Sequence, residues 1–148
     1  MRIAGIDYGT VRIGIATADT TVGIAGAYAT RTRSGEAADA KYFQRLVAEE
    51  GIERFVVGLP VHLSGGESQK SAEARRFGAW LQQQTGTPVE FFDERFTSAE
   101  AELLLQGAKL TRKRRTARRD QLAAQIMLTA YLESGSRGQD IVESIDDE

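Results

Sequence analysis

The chain has 148 residues, with no cysteine, one histidine and a net charge of −2 from 19 basic and 21 acidic side chains. This composition excludes disulfide bridges, thiolate catalysis and zinc sites built on cysteine or on several histidines. Any metal must therefore be held by carboxylates, the hard oxygen ligands that suit Mg²⁺ or Mn²⁺.

The length predicts a single domain over residues 1–135, followed by an acidic, disordered tail over residues 136–148. The sequence has no apolar run long enough to cross a membrane and no secretory leader pattern. The absence of cysteine fits a reducing compartment. We therefore expect a cytoplasmic protein without a membrane partner.

The hydrophobic pattern predicts three strands, followed by strands that alternate with helices. The opening strand turns at Gly9 into a hairpin partner over residues 11–18, and a third strand covers residues 22–30. The later segments are a helix over 37–50, a strand over 54–59, a helix over 70–85, a strand over 88–94, and helices over 101–106 and 116–134. This order predicts an α/β fold, with a mixed five-stranded sheet, an antiparallel opening meander and helices on both faces.

Acidic residues stand at the ends of two predicted strands. Asp7 ends the first strand, and Asp93 and Glu94 end the last. Ligands gather at the carboxyl ends of parallel strands, so these acids converge if the two strands are neighbours. Alternatively, Asp7 could be a turn former before glycine, and Asp93 and Glu94 a solvated strand end with Glu94 paired to Arg95.

The last long helix carries an acid on its apolar face. At about 100° per residue, the side of the helix that holds Asp120 also holds four core-type residues. These are Ala123, Ala124, Met127 and Tyr131. Asp120 could instead stabilise the helix by interacting with the positive N-terminal end of its dipole. Its place on the apolar face, however, predicts that its side chain points toward the sheet. Three or four carboxylates gathered there repel one another, so they can all stay ionised only if divalent cations neutralise them.

A basic run precedes this helix and contains seven cations without an intervening acid: Lys109, Arg112, Lys113, Arg114, Arg115, Arg118 and Arg119. Such a run is either a solvated loop or a surface for the phosphates of a nucleic acid, and the nearby acids favour the second interpretation. We add Arg12 and Arg95 to the predicted nucleic-acid contacts. Tyr8, Tyr28 and Trp80 are interpreted as core or supporting residues rather than as base-stacking ones.

Four motifs resemble one family. They occur in order across residues 1–135 and read G-I-D-Y-G-T-V-R-I-G, V-V-G-L-P, D-E-R-F-T-S and D-Q-L-A-A-Q-I-M-L. Together they are similar to the YqgF/RuvX family of the RNase H-like superfamily, which is related to RuvC resolvases. Two positions depart from the usual family pattern, His62 in place of Asn and Phe96 in place of Leu.

The resemblance implies an RNase H-like fold and a metal-dependent endonuclease. The substrate would be the 5′ end of a pre-16S rRNA precursor, a four-way Holliday junction in DNA, or both. Carried onto this chain, the catalytic acids are Asp7, Glu94 and Asp120, and the metal ligands are these three together with Asp93. The implied mechanism uses two Mg²⁺ or Mn²⁺ ions about 4 Å apart.

Three points stay open at this level. One is whether Asp93 or Glu94 faces Asp7. Another is whether the chain is a homodimer, as resolution of a two-fold junction would require. The third is function itself, since a catalytically silent nucleic-acid-binding module or a single nucleotide-binding lobe of the actin and sugar-kinase type are alternatives.

Overall fold

The computed structural model describes the backbone of residues 1–60, 68–94 and 112–135, and the side chains of these ranges except 112–117. The strands and helices alternate after an opening run of three strands. In chain order they are β1 (Arg2–Asp7), β2 (Arg12–Asp19), β3 (Ile24–Thr32), α1 (Glu36–Glu50), β4 (Arg54–Leu59), α2 (Gln69–Thr85), β5 (Val89–Asp93) and α3 (Arg112–Ser134).

The five strands form one mixed sheet in the order β3-β2-β1-β4-β5. The first three pair as an antiparallel meander, and β4 pairs in parallel with both β1 and β5. These features confirm the predicted sheet. The condition under which the acids were expected to converge, that β1 and β5 are neighbours, is not met, because β4 lies between them. Phe55, Val56 and Val57 of β4 are all fully buried, as expected for a parallel strand covered on both faces.

Helices cover both faces of the sheet, as predicted. Alternate residues of β1 point to opposite sides, so Ala4 and Ile6 lie in one core layer and Ile3 in the other. The first layer is completed by α1 and α2, which contribute Phe43, Leu46, Ala74, Phe77 and Leu81. The second layer is completed by α3, which contributes Ala124, Met127, Leu128 and Tyr131.

The start of α2 is fixed to the end of β4. Ser68 is the N-cap of α2, and its Oγ accepts a hydrogen bond of 3.0 Å from the backbone N–H of Ser71. The same hydroxyl donates to the carbonyl oxygen of Pro60, also at 3.0 Å. This double contact places the first turn of α2, which contains Lys70, at the carboxyl end of β4.

Helix α3 begins at Arg112, four residues before the predicted start at 116. The residues gained are Arg and Lys, which are good helix formers, and no glycine or proline interrupts them. Most of the basic run is therefore helical rather than a loop. The predicted helix over 101–106, Arg95, Lys109 and the acidic tail over 136–148 lie outside the described residues. Within the described ranges, no helix is long and apolar enough to span a bilayer.

Candidate active site

Asp7 lies in a cavity at the carboxyl end of β1. The cavity has a volume of about 420 Å³. Its lining includes the three acids predicted to be catalytic, Asp7, Glu94 and Asp120, together with a fourth acid, Glu73 of α2, and the cations Arg12 and Lys70. Asp7 ends β1, Glu94 directly follows β5 and Asp120 lies in α3, so these three acids come from parts of the chain that are far apart. The fold therefore brings together the three acids predicted to be catalytic.

Glu94 reaches Asp7 across the intervening strand β4. It can do so because residue 58 of β4 is glycine, and a Cβ atom there would overlap Oε1 of Glu94. The carboxyl groups of Asp7 and Glu94 are hydrogen-bonded to each other, which requires a proton on one of the two. Because Gly58 has no side chain, Glu94 can contact Asp7 even though β4 separates β1 from β5.

Burial and like charge both favour the protonated form of this pair. Burial, followed by the charges of Glu94 and Asp120, raises the pKa of Asp7 from 3.8 to about 7. Burial also raises the pKa of Glu94, and the neighbouring charge of Asp93 adds to that rise. The Lys70 ammonium group opposes the shift by lowering the pKa of both acids. Without further positive charge, the pair retains a proton near neutral pH.

Asp120 is brought to the cavity by close packing of α3 on β2. A Cβ atom at Gly14 of β2 would overlap the backbone carbonyl of Asp120, so only glycine allows this approach. The Asp120 side chain accepts a hydrogen bond of 2.9 Å at Oδ2 from Nε of Arg12. Ala124, Met127 and Tyr131, which share its helix face, are buried against the sheet.

Asp93 is placed differently from the other acids. It is only 5% exposed and pairs with Leu59 in the register of β4 and β5, but it is absent from the described lining of the cavity. Its effect on the site is electrostatic, through the raised pKa of Glu94. Of the two acids that the sequence left open, Glu94 is therefore the one that faces Asp7.

The donor set suits a hard divalent cation. Carboxylate oxygens are the ligands that Mg²⁺ and Mn²⁺ prefer. The proton held between Asp7 and Glu94 shows that positive charge is favoured at this position, which a metal ion could take instead. Among the side chains that the structure describes, no group of three acids or histidines is arranged to hold a metal ion by itself. Two acids converge, and the third, Asp120, is in an ion pair with Arg12.

Three contributors to the site were not found by sequence reasoning, namely Lys70, Gly58 and Gly14. A glycine inside a buried strand often marks a close approach of another group, so Gly58 and Gly14 carried a usable signal. Lys70 carried none, because it follows a polar stretch and reaches the cavity only through the placement of α2.

The predicted nucleic-acid contacts are distributed unevenly. Arg12 lines the cavity, and Arg118 and Arg119 are exposed on α3 beside Asp120. The backbone positions of Arg112, Lys113, Arg114 and Arg115 lie in the first turns of the same helix. Arg95 and Lys109 lie outside the described ranges.

Comparison with known proteins places the chain in a family. A family model described as "RuvX: Holliday junction resolvase" matches residues 1–134. A Rhodopirellula baltica protein named "Putative pre-16S rRNA nuclease" is 46% identical over 133 residues, covering 90% of this chain and 77% of the relative. A Syntrophomonas wolfei protein of the same name is 41% identical over 140 residues, covering 95% and 99% of the two chains.

A solved structure supports the same assignment at the level of the fold. RuvC of T. thermophilus in complex with a Holliday junction substrate aligns with a TM-score of 0.53 at 16% identity, covering 92% of this chain and 97% of that one. At this identity the likeness shows the RNase H-like fold, as the sequence predicted. Because the family model matches residues 1–134 of the 148, the chain belongs to the RuvX family, which that model describes as Holliday junction resolvase.

Proposed function

We propose that this protein is a divalent-metal-dependent endonuclease that hydrolyses phosphodiester bonds in structured nucleic acid. The observation that carries the proposal is the hydrogen-bonded pair of Asp7 and Glu94 in a cavity that Asp120 also lines. Buried carboxylates that repel one another are costly unless a cation or proton offsets them. A site of this kind is suited to metal-assisted hydrolysis.

Asp7 and Glu94 would hold a Mg²⁺ or Mn²⁺ ion, and Asp120 would join them as a further ligand. In the proposed two-metal site, Asp7 would serve both ions while Glu94 and Asp120 would each hold one, and the metal would supply Lewis acidity for the attacking water and the leaving oxygen. The protein must first lose the proton shared by Asp7 and Glu94, and Lys70 favours that loss because it lowers the pKa of both groups.

The cations of the site would bind the phosphate backbone. Arg12 now pairs with Asp120, and it can exchange that carboxylate for a substrate phosphate. Arg118 and Arg119 extend the positive surface along α3 from Asp120. Phosphate contacts of this kind position the strand without reading its sequence.

The substrate that we propose first is the 5′ end of a pre-16S rRNA precursor, processed in the cytoplasm. This choice rests on relatives that carry that name at 46% and 41% identity. A four-way DNA junction is the second candidate, because the matching family model is described as a Holliday junction resolvase. Junction resolution would call for a homodimer with two active sites, whereas trimming one RNA end would not.

A cleavage assay on both substrates, with Mg²⁺ or Mn²⁺ and with chelator, tests the proposal. The wild-type protein should cut at least one substrate only when metal is present. Asp7→Asn should abolish cleavage while preserving the fold. Glu53→Gln, a change of an exposed acid remote from the cavity, should leave the rate unchanged. An active Asp7→Asn protein, or cleavage that persists in chelator, would refute the proposal.

A further inference from the structure

A second cavity adjoins the one that contains the carboxylates. It has a volume of about 410 Å³ and shares Tyr8, Thr10 and Glu73 with the first. Its remaining wall is formed by Arg33, Glu36, Arg76, Phe77 and Trp80. A strand whose phosphate lies near Asp7 could therefore extend directly into this second cavity.

A row of aromatic rings leads from one cavity to the other. The ring centroids of Tyr8 and Phe77 are 4.8 Å apart at 34°, and those of Phe77 and Trp80 are 5.5 Å apart at 33°. Phe77 is buried, whereas Tyr8 and Trp80 are half-buried. The sequence favoured a supporting role for Tyr8 and Trp80. The structure shows that both rings also line an open cavity.

The polar groups of this second cavity are held in place. Arg33 donates to the Tyr8 hydroxyl at 2.9 Å, and its guanidinium group lies 5.4 Å from the Tyr8 ring centre. Asp39, which is 1% exposed, faces Arg33 Nε at 3.5 Å. Trp80 Nε1 donates to Glu36 at 3.1 Å, which fixes the orientation of the indole.

We propose that this second cavity binds an unpaired nucleobase of the substrate strand next to the phosphate that is cleaved. Planar rings and a guanidinium plane favour stacking of a flat heterocycle, while Glu36, Glu73 and Arg76 offer acceptors and donors to its edge. The formal charges of the two arginines and two glutamates cancel, so the wall suits a base better than an isolated phosphate. The assignment deepens the proposed nuclease function and rests on it.

One consequence concerns the substrate. A base can enter an aromatic cavity only if it has left its stack and its pairing partner. The strand should therefore be single-stranded, or easily opened, on one side of the cleaved bond. This requirement applies equally to RNA and to DNA.

The single tryptophan of the chain makes the proposal directly measurable, because Trp80 is the only source of indole fluorescence. The probes are a single-stranded hexanucleotide and the same strand with abasic positions throughout, titrated into the full chain in chelator. The strand with bases should quench Trp80 and bind about 5- to 150-fold more tightly than the abasic strand. Equal quenching by both strands, or none by either, would overturn the assignment.

Variants separate stacking from phosphate binding, with affinity read from the anisotropy of a labelled strand. Trp80→Leu should remove the preference for the strand with bases and leave the affinity for the abasic strand unchanged. Trp80→Phe should restore most of the preference. Arg45→Gln, an exposed change on α1, is the matched control. A folded Trp80→Leu protein that keeps the full preference would contradict the proposal.

Failure of the base site and failure of the proposed function give different results. A protein that cleaves with metal but shows no preference for bases is a nuclease without this base site. A protein that prefers bases through Trp80 but never cleaves has the site and lacks the activity.

Discussion

Arg12 donates from Nε to Oδ2 of Asp120 at 2.9 Å, so a cation of the protein itself neutralises the third carboxylate of the candidate site. Both groups line the cavity that holds Asp7 and Glu94. A divalent ion that recruits Asp120 would compete with Arg12 for this carboxylate, and a displaced guanidinium group would be available to a phosphate. Under the proposed function, this ion pair would link the binding of metal to the binding of substrate.

Removal of this ion pair should strengthen metal binding. The side chains are 39% and 23% exposed, and partly exposed pairs contribute at most about 1 kcal/mol, so Arg12→Gln should bind Mn²⁺ about two- to five-fold more tightly. Calorimetric titration measures the change. In an Asp120→Asn background, the same substitution should have a smaller effect. An equal gain in both backgrounds would show that the pair itself does not compete with the metal.

Asp7 should make the metal-free protein less stable as the pH rises. Its folded pKa of about 7 exceeds the ordinary 3.8, so the native state binds more protons than the unfolded chain between these values. The free energy of unfolding therefore falls as the pH rises from about 4 to about 7, by up to about 4 kcal/mol at about 1.4 kcal/mol per pKa unit.

Asp7→Asn removes most of this dependence, because an amide can donate to Glu94 at any pH. In chelator at about pH 8, the variant should resist urea better than the wild type, and the difference should shrink at about pH 4. Denaturation curves at the two pH values provide the measurement. A wild-type protein that gains stability over this range relative to Asp7→Asn would contradict the raised pKa.

Gly58→Ala tests whether Glu94 must cross β4. The added methyl group would overlap the Glu94 carboxylate and push it away from Asp7. Misplacement of a catalytic group by about 1 Å can cost about 100-fold in rate, so we expect a loss of that order in cleavage. Gly26→Ala is the matched strand glycine, since its Cβ would meet no atom within 4 Å. Equal cleavage rates for Gly58→Ala and Gly26→Ala would contradict the claim that Glu94 must pass over Gly58.

The basic face of α3 should determine the salt dependence of nucleic-acid binding. Arg118→Gln combined with Arg119→Gln removes two exposed cations near Asp120. If both contact phosphates, the slope of log K against log salt should decrease by about 1 to 2. Anisotropy titrations at several salt concentrations measure the slope, with Arg45→Gln as the control. An unchanged slope would remove this face from the binding surface.

The sheet and its helices could be predicted because their hydrophobic periodicity is strong. The run of Ile and Ala in β1 and the buried β4 leave little choice of structure. The order of the strands in the sheet was harder to predict. An apolar strand such as β4 has the same local sequence pattern whether it lies beside β1 or elsewhere in the sheet. The sequence could state adjacency of β1 and β5 only as a condition for convergence, and the acids converge although that condition is not met.

The candidate site likewise has residues that could be predicted from local sequence and residues that could not. Asp7 and Asp120 could be singled out from their positions at a strand end and on an apolar helix face. The choice between Asp93 and Glu94 depended on which side chain passes over Gly58, a tertiary relationship that no local pattern encodes. Lys70 and the Arg12–Asp120 pair were inaccessible for the same reason, since each joins elements that are distant in the chain.

Calorimetric titration with Mn²⁺ near neutral pH tests the central claim most directly, because it measures metal binding by the carboxylates without requiring a substrate. Wild type and Glu53→Gln should bind Mn²⁺ alike, whereas Asp7→Asn and Glu94→Gln should each lose binding while remaining folded. Asp7→Asn and Glu94→Gln proteins that bind Mn²⁺ as tightly as the wild type would contradict the account.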